Sequence, residues 1–220
     1  MEMLEALKRL PLFPLPRTVF FPKMILPLHV FEPRYRALVE DSIKGHGMVG
    51  VPLLKPGYEE QYEGSPEIFP IFGFGLVTQS ERLEEGRFQI TLQGLGRVRL
   101  KQELPSGGLY RSAEVELMPD EDWQTKEKLG PSMHRLRENF LPLLPLYREL
   151  PADYHSAIHR IEDPEVFCHL LATHLVEDPY ASQAMLELPS LKERLQAVEQ
   201  WIGKESLKKS PISGGSAGMV

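Results

Sequence analysis

Between Leu10 and Phe31 the chain is apolar in short runs, Leu10–Leu15, Thr18–Phe21 and Met24–Phe31, broken at Pro14, Pro16, Pro22 and Pro27. Proline cannot donate to a ladder, so the pattern predicts two or three short, irregular strands of edge or bulged type. Over Pro33–Lys44 the period changes: Tyr35, Leu38, Val39 and Ile43 recur at helical spacing, Gly45 ends the run, and Pro33 suits a first helical turn. Strand character returns at Met48–Leu54 and at Glu67–Leu83, where Gly73 and Gly75 predict a bulge or a close backbone approach. A hairpin loop follows at Glu84–Gly86. Arg87–Leu92 then alternates, with Phe88, Ile90 and Leu92 on one side and Gln89 and Thr91 on the other. Arg97–Leu104 alternates through Val98 and Leu100, and Ala113, Val115 and Leu117 mark a last strand. Period two with one polar face predicts half-buried antiparallel strands, and this many in one stretch predict a barrel or a folded sheet.

After Pro119 the period is helical. An acidic link at Asp120–Asp122 leads into segments over Trp123–Leu129 and Pro131–Leu141, and Pro142 and Pro145 break the second. Asp163-Pro164 and Asp178-Pro179 each place an acceptor before a first-turn proline. The apolar stripe Val166, Phe167, Leu170, Leu171 and Leu175 follows the first. Ser190 with Glu193 forms a capping box ahead of Leu191, Leu195, Val198 and Ile202. The expected class is therefore α+β: a β-rich domain over 1–119, a helical bundle over 120–209, and a small, polar, disordered tail over 210–220.

Charge changes the picture little. The net charge is −6, and residues 1–119 hold 14 Lys and Arg against 15 Asp and Glu. A nucleic acid or an anionic membrane would select a basic surface, so neither is expected as a partner. The single cysteine, Cys168, allows no internal disulfide, and the acidic start Met1–Glu5 lacks a signal-peptide pattern, so a cytoplasmic location is expected. No apolar run approaches the roughly 20 residues that span a bilayer.

Candidate chemistry is sparse. The chain has no phosphate-binding Gly-Lys-Ser/Thr loop, no Gly-x-Ser-x-Gly elbow and no Cys-x-x-Cys or His-Glu-x-x-His pattern. Gly94-Leu95-Gly96 lies within strand pattern and reads as a bulge. His155 and His159 are spaced for half a metal site, with Asp153, Glu162 and Asp163 near; the solvent-facing reading is preferred, and neither a metal nor a cofactor is expected. Cys168, beside His169, reads as a buried small hydrophobe in preference to a nucleophile. The corner Phe31, Glu32, Pro33, Arg34 and Tyr35 reads as an ion pair and aromatic plug fixing a turn, in preference to a binding corner. Glu81, Arg82, Arg87, Arg97 and Arg99 read as cross-strand pairs. Phe20, Phe21, Tyr58 and Tyr62 lie in connections, where aromatics either anchor a peptide or fold back over the core; they are the candidate peptide-binding residues.

The run Leu10-Pro11-Leu12-Phe13-Pro14-Leu15, then Phe21-Pro22 and Leu26-Pro27-Leu28-His29-Val30-Phe31-Glu32-Pro33-Arg34-Tyr35-Arg36, resembles the opening of the Lon N-terminal domain family. Gly50-Val51, Gly75, Glu81, Gly86-Arg87-Phe88 and Gly94-Leu95-Gly96-Arg97-Val98 continue the likeness, and Arg194-Leu195 resembles a pair in the family's last helix. The likeness runs over about 8–203. It implies a PUA-like β barrel followed by a helical bundle, and a role in recognising unfolded or tagged protein substrates. It also implies a stand-alone bacterial member without the ATPase and peptidase domains, since no residue matches the catalytic dyad. The expectation is a non-catalytic protein- or peptide-recognition module, an adaptor in protein quality control, with a protease, a chaperone or a client as partner and the oligomeric state open. The rival readings are an RNA-binding PUA-like protein, carried by a basic stripe of Arg82, Arg87, Arg97 and Arg99, and a cryptic hydrolase at Cys168 or the His155/His159 pair.

Overall fold

A computed structural model describes residues 2–61, 64–105, 108–146 and 152–209. The expected tail over 210–220 lies outside them. Contacts divide the chain into two compact units: Met1–Asp120 with Asp178–Glu187, and Glu121–Glu177 with Leu188–Val220.

The first unit opens with a short helix α1 (Glu2–Ala6) and strands β1 (Leu10–Pro11) and β2 (Ile25–Val30). Helix α2 (Pro33–Lys44) follows, then β3 (Met48–Val51), β4 (Ile71–Arg82), β5 (Phe88–Glu103) and β6 (Ser112–Leu117). All ladders are antiparallel, in the order β1-β6-β5-β4-β3, with β2 added to β5 alone. The two alternating runs expected around Gly94 are one long strand, because a register shift at Gly75, opposite Gly94, absorbs the change of phase without ending the ladder.

The strand ladder does not close into the expected barrel: β1 and β3 are its ends. The segment after β1 meets the β3 side only through isolated parallel bridges, Leu12 to Gly50 and Leu15 to Leu53. The cause is local: Pro52, between Gly50 and Leu54, carries no N–H, so the pairing is interrupted there and the two bridges stay separate. The bonds present are Phe13 N–H to the Gly50 carbonyl (2.8 Å), Leu15 N–H to the Pro52 carbonyl (2.9 Å) and Leu54 N–H to the Leu15 carbonyl (2.9 Å).

Two apolar clusters fill the unit. One joins Leu38 and Val39 of α2 to Val30, Ile90 and Leu92; the other joins Leu10 and Leu12 to Phe72, Val98 and Val115. Helix α2 has the range its periodicity predicts; Tyr35, Leu38 and Val39 of its apolar stripe are buried, while Ile43 is exposed.

The second unit holds α3 (Gly130–Phe140), α4 (Ala152–Arg160) and α5 (Pro164–Leu175). Then α6 (Pro179–Glu187) belongs to the first unit, and α7 (Leu191–Lys209) to the second. The predicted starts form: the Asp163 carboxylate accepts from the amides of Glu165 and Val166, and Ser190 and Glu193 exchange backbone-to-side-chain bonds of 3.2 Å. Helices α3, α5 and α7 pack on one another through Leu136, Phe167, Leu171, Leu195 and Val198, all buried. Arg194 lies buried in α7, donating to His169 Nε2 at 3.2 Å and to the Leu188 carbonyl at 3.0 Å. Among the described residues no helix is long and apolar enough to cross a membrane.

Candidate functional site

Phe20 and Phe21, which the sequence left open between peptide anchors and core packing, are core residues, 2% and 1% exposed. The segment carrying them crosses directly over the glycines of β4 and β5. A Cβ on Gly73 would stand 1.7 Å from the Phe20 carbonyl oxygen, and one on Gly94 would stand 2.5 Å from that of Phe21. The Phe20 ring fills the space that a side chain at position 75 would need. These rings cannot meet a partner without opening the unit. Tyr58 is half-buried and packs on the second apolar cluster, where burial and then the neighbouring Glu59 carboxylate raise its phenol above the usual value. Tyr62 lies outside the described residues.

The corner before α2 is built from side chains. Arg34 grips Glu32 at 2.8 Å and lies over the Tyr35 ring, which stacks on Phe13 at a centroid distance of 4.1 Å. Pro33 occupies the first helical turn. Phe31, by contrast, points out, 62% exposed.

The arginines of a possible basic stripe are dispersed. Arg97 is buried and bonded to Asp120 and to the Leu186 carbonyl, both at 2.6 Å. Arg82 reaches Glu40 of α2, Arg87 stays with Glu85, and Arg99 alone of the set meets its partner across a ladder, Glu116 at 3.8 Å. Glu81 stands opposite Gln89, out of register with Arg87. Among the described residues no group of three or more His, Cys, Asp or Glu side chains could hold a metal ion. Cys168 is wholly buried, and His159 is exposed.

What the structure does assemble is a row along β2. Ile25, Pro27 and His29 share one face, Phe31 continues it, and all four are exposed, with Ile25 at 55%. The His29 and Phe31 rings meet edge to face at 6.3 Å. Leu26, Leu28 and Val30 alternate with them and pack on the core, which fixes the direction of the row. Opposite on β5 stand Gln93, Thr91 and Gln89, so the surface beside the row is uncharged and rich in amides. Because β2 pairs with β5 alone, its outer edge is a free backbone edge among the described strands. Pro27 within the strand directs its missing donor to that edge. The edge thus offers carbonyls and a broken set of donors, which suits one short extended segment and disfavours a long copy-to-copy ladder. The signal was present in the sequence as the alternation of Ile25, Pro27, His29 and Phe31. It was hidden because Leu26, Leu28 and Val30 make the whole run look apolar.

A family model described as the ATP-dependent protease La (LON) substrate-binding domain matches residues 9–204. "Lon protease 2" of Syntrophobacter fumaroxidans is 29% identical over 199 residues, covering 90% of this chain and 25% of that protein. "Lon protease 2" of Myxococcus xanthus is 28% identical over 202 residues, covering 89% and 24%. The chain therefore spans about a quarter of the length of these curated relatives. Among solved structures, the N-terminal domain of Mycobacterium avium complex Lon protease superposes with a TM-score of 0.70 at 15% identity, covering 89% of this chain and 98% of that one. A Lon N-terminal domain protein from Xanthomonas campestris gives 0.61 at 22% identity, covering 88% and 98%.

Proposed function

The chain belongs to the family of the ATP-dependent protease La (LON) substrate-binding domain, and from that premise we propose that it is a non-catalytic recognition module that captures extended or partly unfolded polypeptide along the outer edge of β2. The observation that carries the reading is the exposure of Ile25 on, and Phe31 just after, a strand paired on one side only. An extended chain repeats its side chains on one face every two residues, about 6.6–6.8 Å. The β2 row repeats at the same interval, so apolar side chains of a client can interleave with Ile25, Pro27, His29 and Phe31 while its backbone pairs at the edge. Burial of two large apolar groups supplies affinity, and the backbone bonds supply tolerance of sequence, as a binder of unfolded chains requires.

The setting proposed with this activity is the cytoplasm, supported by a single cysteine that is buried. The role is that of an adaptor in protein quality control, handing clients to a protease or chaperone. The PUA-like description of the open sheet belongs to the same proposal, supported by the bridges from Leu12 to Gly50 and Leu15 to Leu53 beside its ends.

The test is the affinity for a reduced, alkylated and permanently unfolded reference protein, measured by fluorescence anisotropy. The double change Ile25→Ser and Phe31→Ser removes exposed apolar surface without touching the core. It is expected to weaken binding roughly tenfold or more at unchanged melting temperature. Unchanged affinity would remove β2 as the capture site.

A further inference from the structure

We propose that a second site on the first unit, the cleft of about 480 Å³ between the end of α2 and the segment leading into β6, binds the C-terminal carboxylate of an extended polypeptide. The proposal rests on the reading of the chain as a polypeptide-binding module and names a chemical feature of its clients.

The cleft is lined by Arg9, Asp41, His46 and Tyr110, with Pro11 and Leu109 among its apolar walls. Its charged side chains are Arg9 and Asp41, and Ser42 and Ser112 add hydroxyls to the lining. Arg9 makes no ion pair among the described residues that would occupy its guanidinium. His46 accepts the Met48 amide on Nδ1 at 3.0 Å, and burial lowers its pKa, so the ring is neutral and its proton sits on Nε2 as a second donor. Asp41 is the acidic group of the lining, and its Oδ2 already accepts the Tyr110 hydroxyl at 2.9 Å. Burial, and then the bond to Asp41, push that phenol up to about 12, so Tyr110 stays protonated and stays a donor to Asp41.

A chain end with a free carboxylate complements this set. Its two oxygens meet Arg9 and the His46 Nε2–H, and the amide N–H groups upstream meet the remaining Asp41 oxygen. The volume selects a chain end over a small free anion: at roughly 130 Å³ per residue, typical of close-packed protein, 480 Å³ holds about three to four residues, and a lone carboxylate would leave most of it unfilled. Leu109, 69% exposed at the rim, then offers an apolar contact to the side chains that enter.

The experiment is calorimetric titration of the full chain with an unstructured peptide of about ten residues in three forms: free acid, C-terminal amide and N-acetylated acid. Sodium acetate is a fourth ligand, and Arg9→Gln and Phe31→Ser variants are run beside the wild type. The free acid is expected to bind at least about tenfold tighter than the amide, N-acetylation to change nothing, and Arg9→Gln to erase the acid-to-amide difference while leaving the melting temperature alone. Equal binding of acid and amide would overturn the proposal. So would loss of binding on N-acetylation, which would make this an amine site, or acetate binding as tightly as the peptide, which would make it a small-anion site. If acid and amide bind alike and both need Phe31, the cleft proposal falls and the β2 reading stands. If the acid form needs Arg9 while unfolded protein ignores Phe31, the cleft stands and the β2 reading falls.

Discussion

At the scale of single residues, glycines set what may lie above the sheet. Gly73 has no Cβ because the Phe20 carbonyl occupies the place where one would go. Backbone on both sides leaves nothing flexible to yield. Gly73→Ala is therefore expected to cost about 2 kcal/mol or more in chemical denaturation, as an overpacking change that only a strand shift can relieve. Gly203, within α7, meets nothing within 4 Å, and Gly203→Ala is expected to stabilise by about 0.5–1 kcal/mol in the same assay. Equal and opposite-signed failures of these two expectations would mean that backbone approach is not what selects glycine here. The need for a small residue at 73 and 75 was legible in the sequence, because glycine inside a strand pattern has few other uses. The identity of what crosses above it was not. Phe20 and Phe21 sit in a connection without period, and whether a loop aromatic is anchor or core depends on residues 50 positions away.

At the scale of elements, the strong local signals were legible: the range of α2, the start of α5 at Asp163 and the capping box at Ser190 all follow from a few adjacent residues. Long-range caps were not. Asp122, which reads as part of an acidic link, accepts from the amides of Leu191 and Lys192 at 2.9 and 3.0 Å, completing the start of α7. The placement of α6 was equally hidden. A helix of nine residues is marginal alone, so docking must hold it. Gln183 donates to the Ile71 carbonyl of β4 at 2.7 Å, and Arg97 of β5 reaches the Leu186 carbonyl. Alternation alone would place Arg97 on a solvent face; α6 covers that face and turns it into core. Arg97→Met leaves the Asp120 carboxylate and the Leu186 carbonyl without their guanidinium partner. The expected cost is about 3–5 kcal/mol, with hydrogen exchange accelerated first across 178–187. Exchange there at the wild-type rate would show that apolar contacts alone dock α6.

At the scale of the molecule, the sequence likeness and the sheet lead to one function by different routes. Family membership motivates the proposed polypeptide binding, while the alternation of burial along β2 supplies a place for it. The fold class was legible because period two gives way to period 3.6 at a proline. The open ladder was not, because it depends on where prolines withhold donors in three dimensions. The direct measurement is hydrogen–deuterium exchange of the full chain with and without the unfolded reference protein. The account predicts slowed exchange across 25–31 on addition of client, since an incoming strand would cover the outward amides of Ile25 and His29, with the opposing amides of β5 already protected in both states. Protection confined to other segments, with 25–31 exchanging as in the free protein, would contradict it.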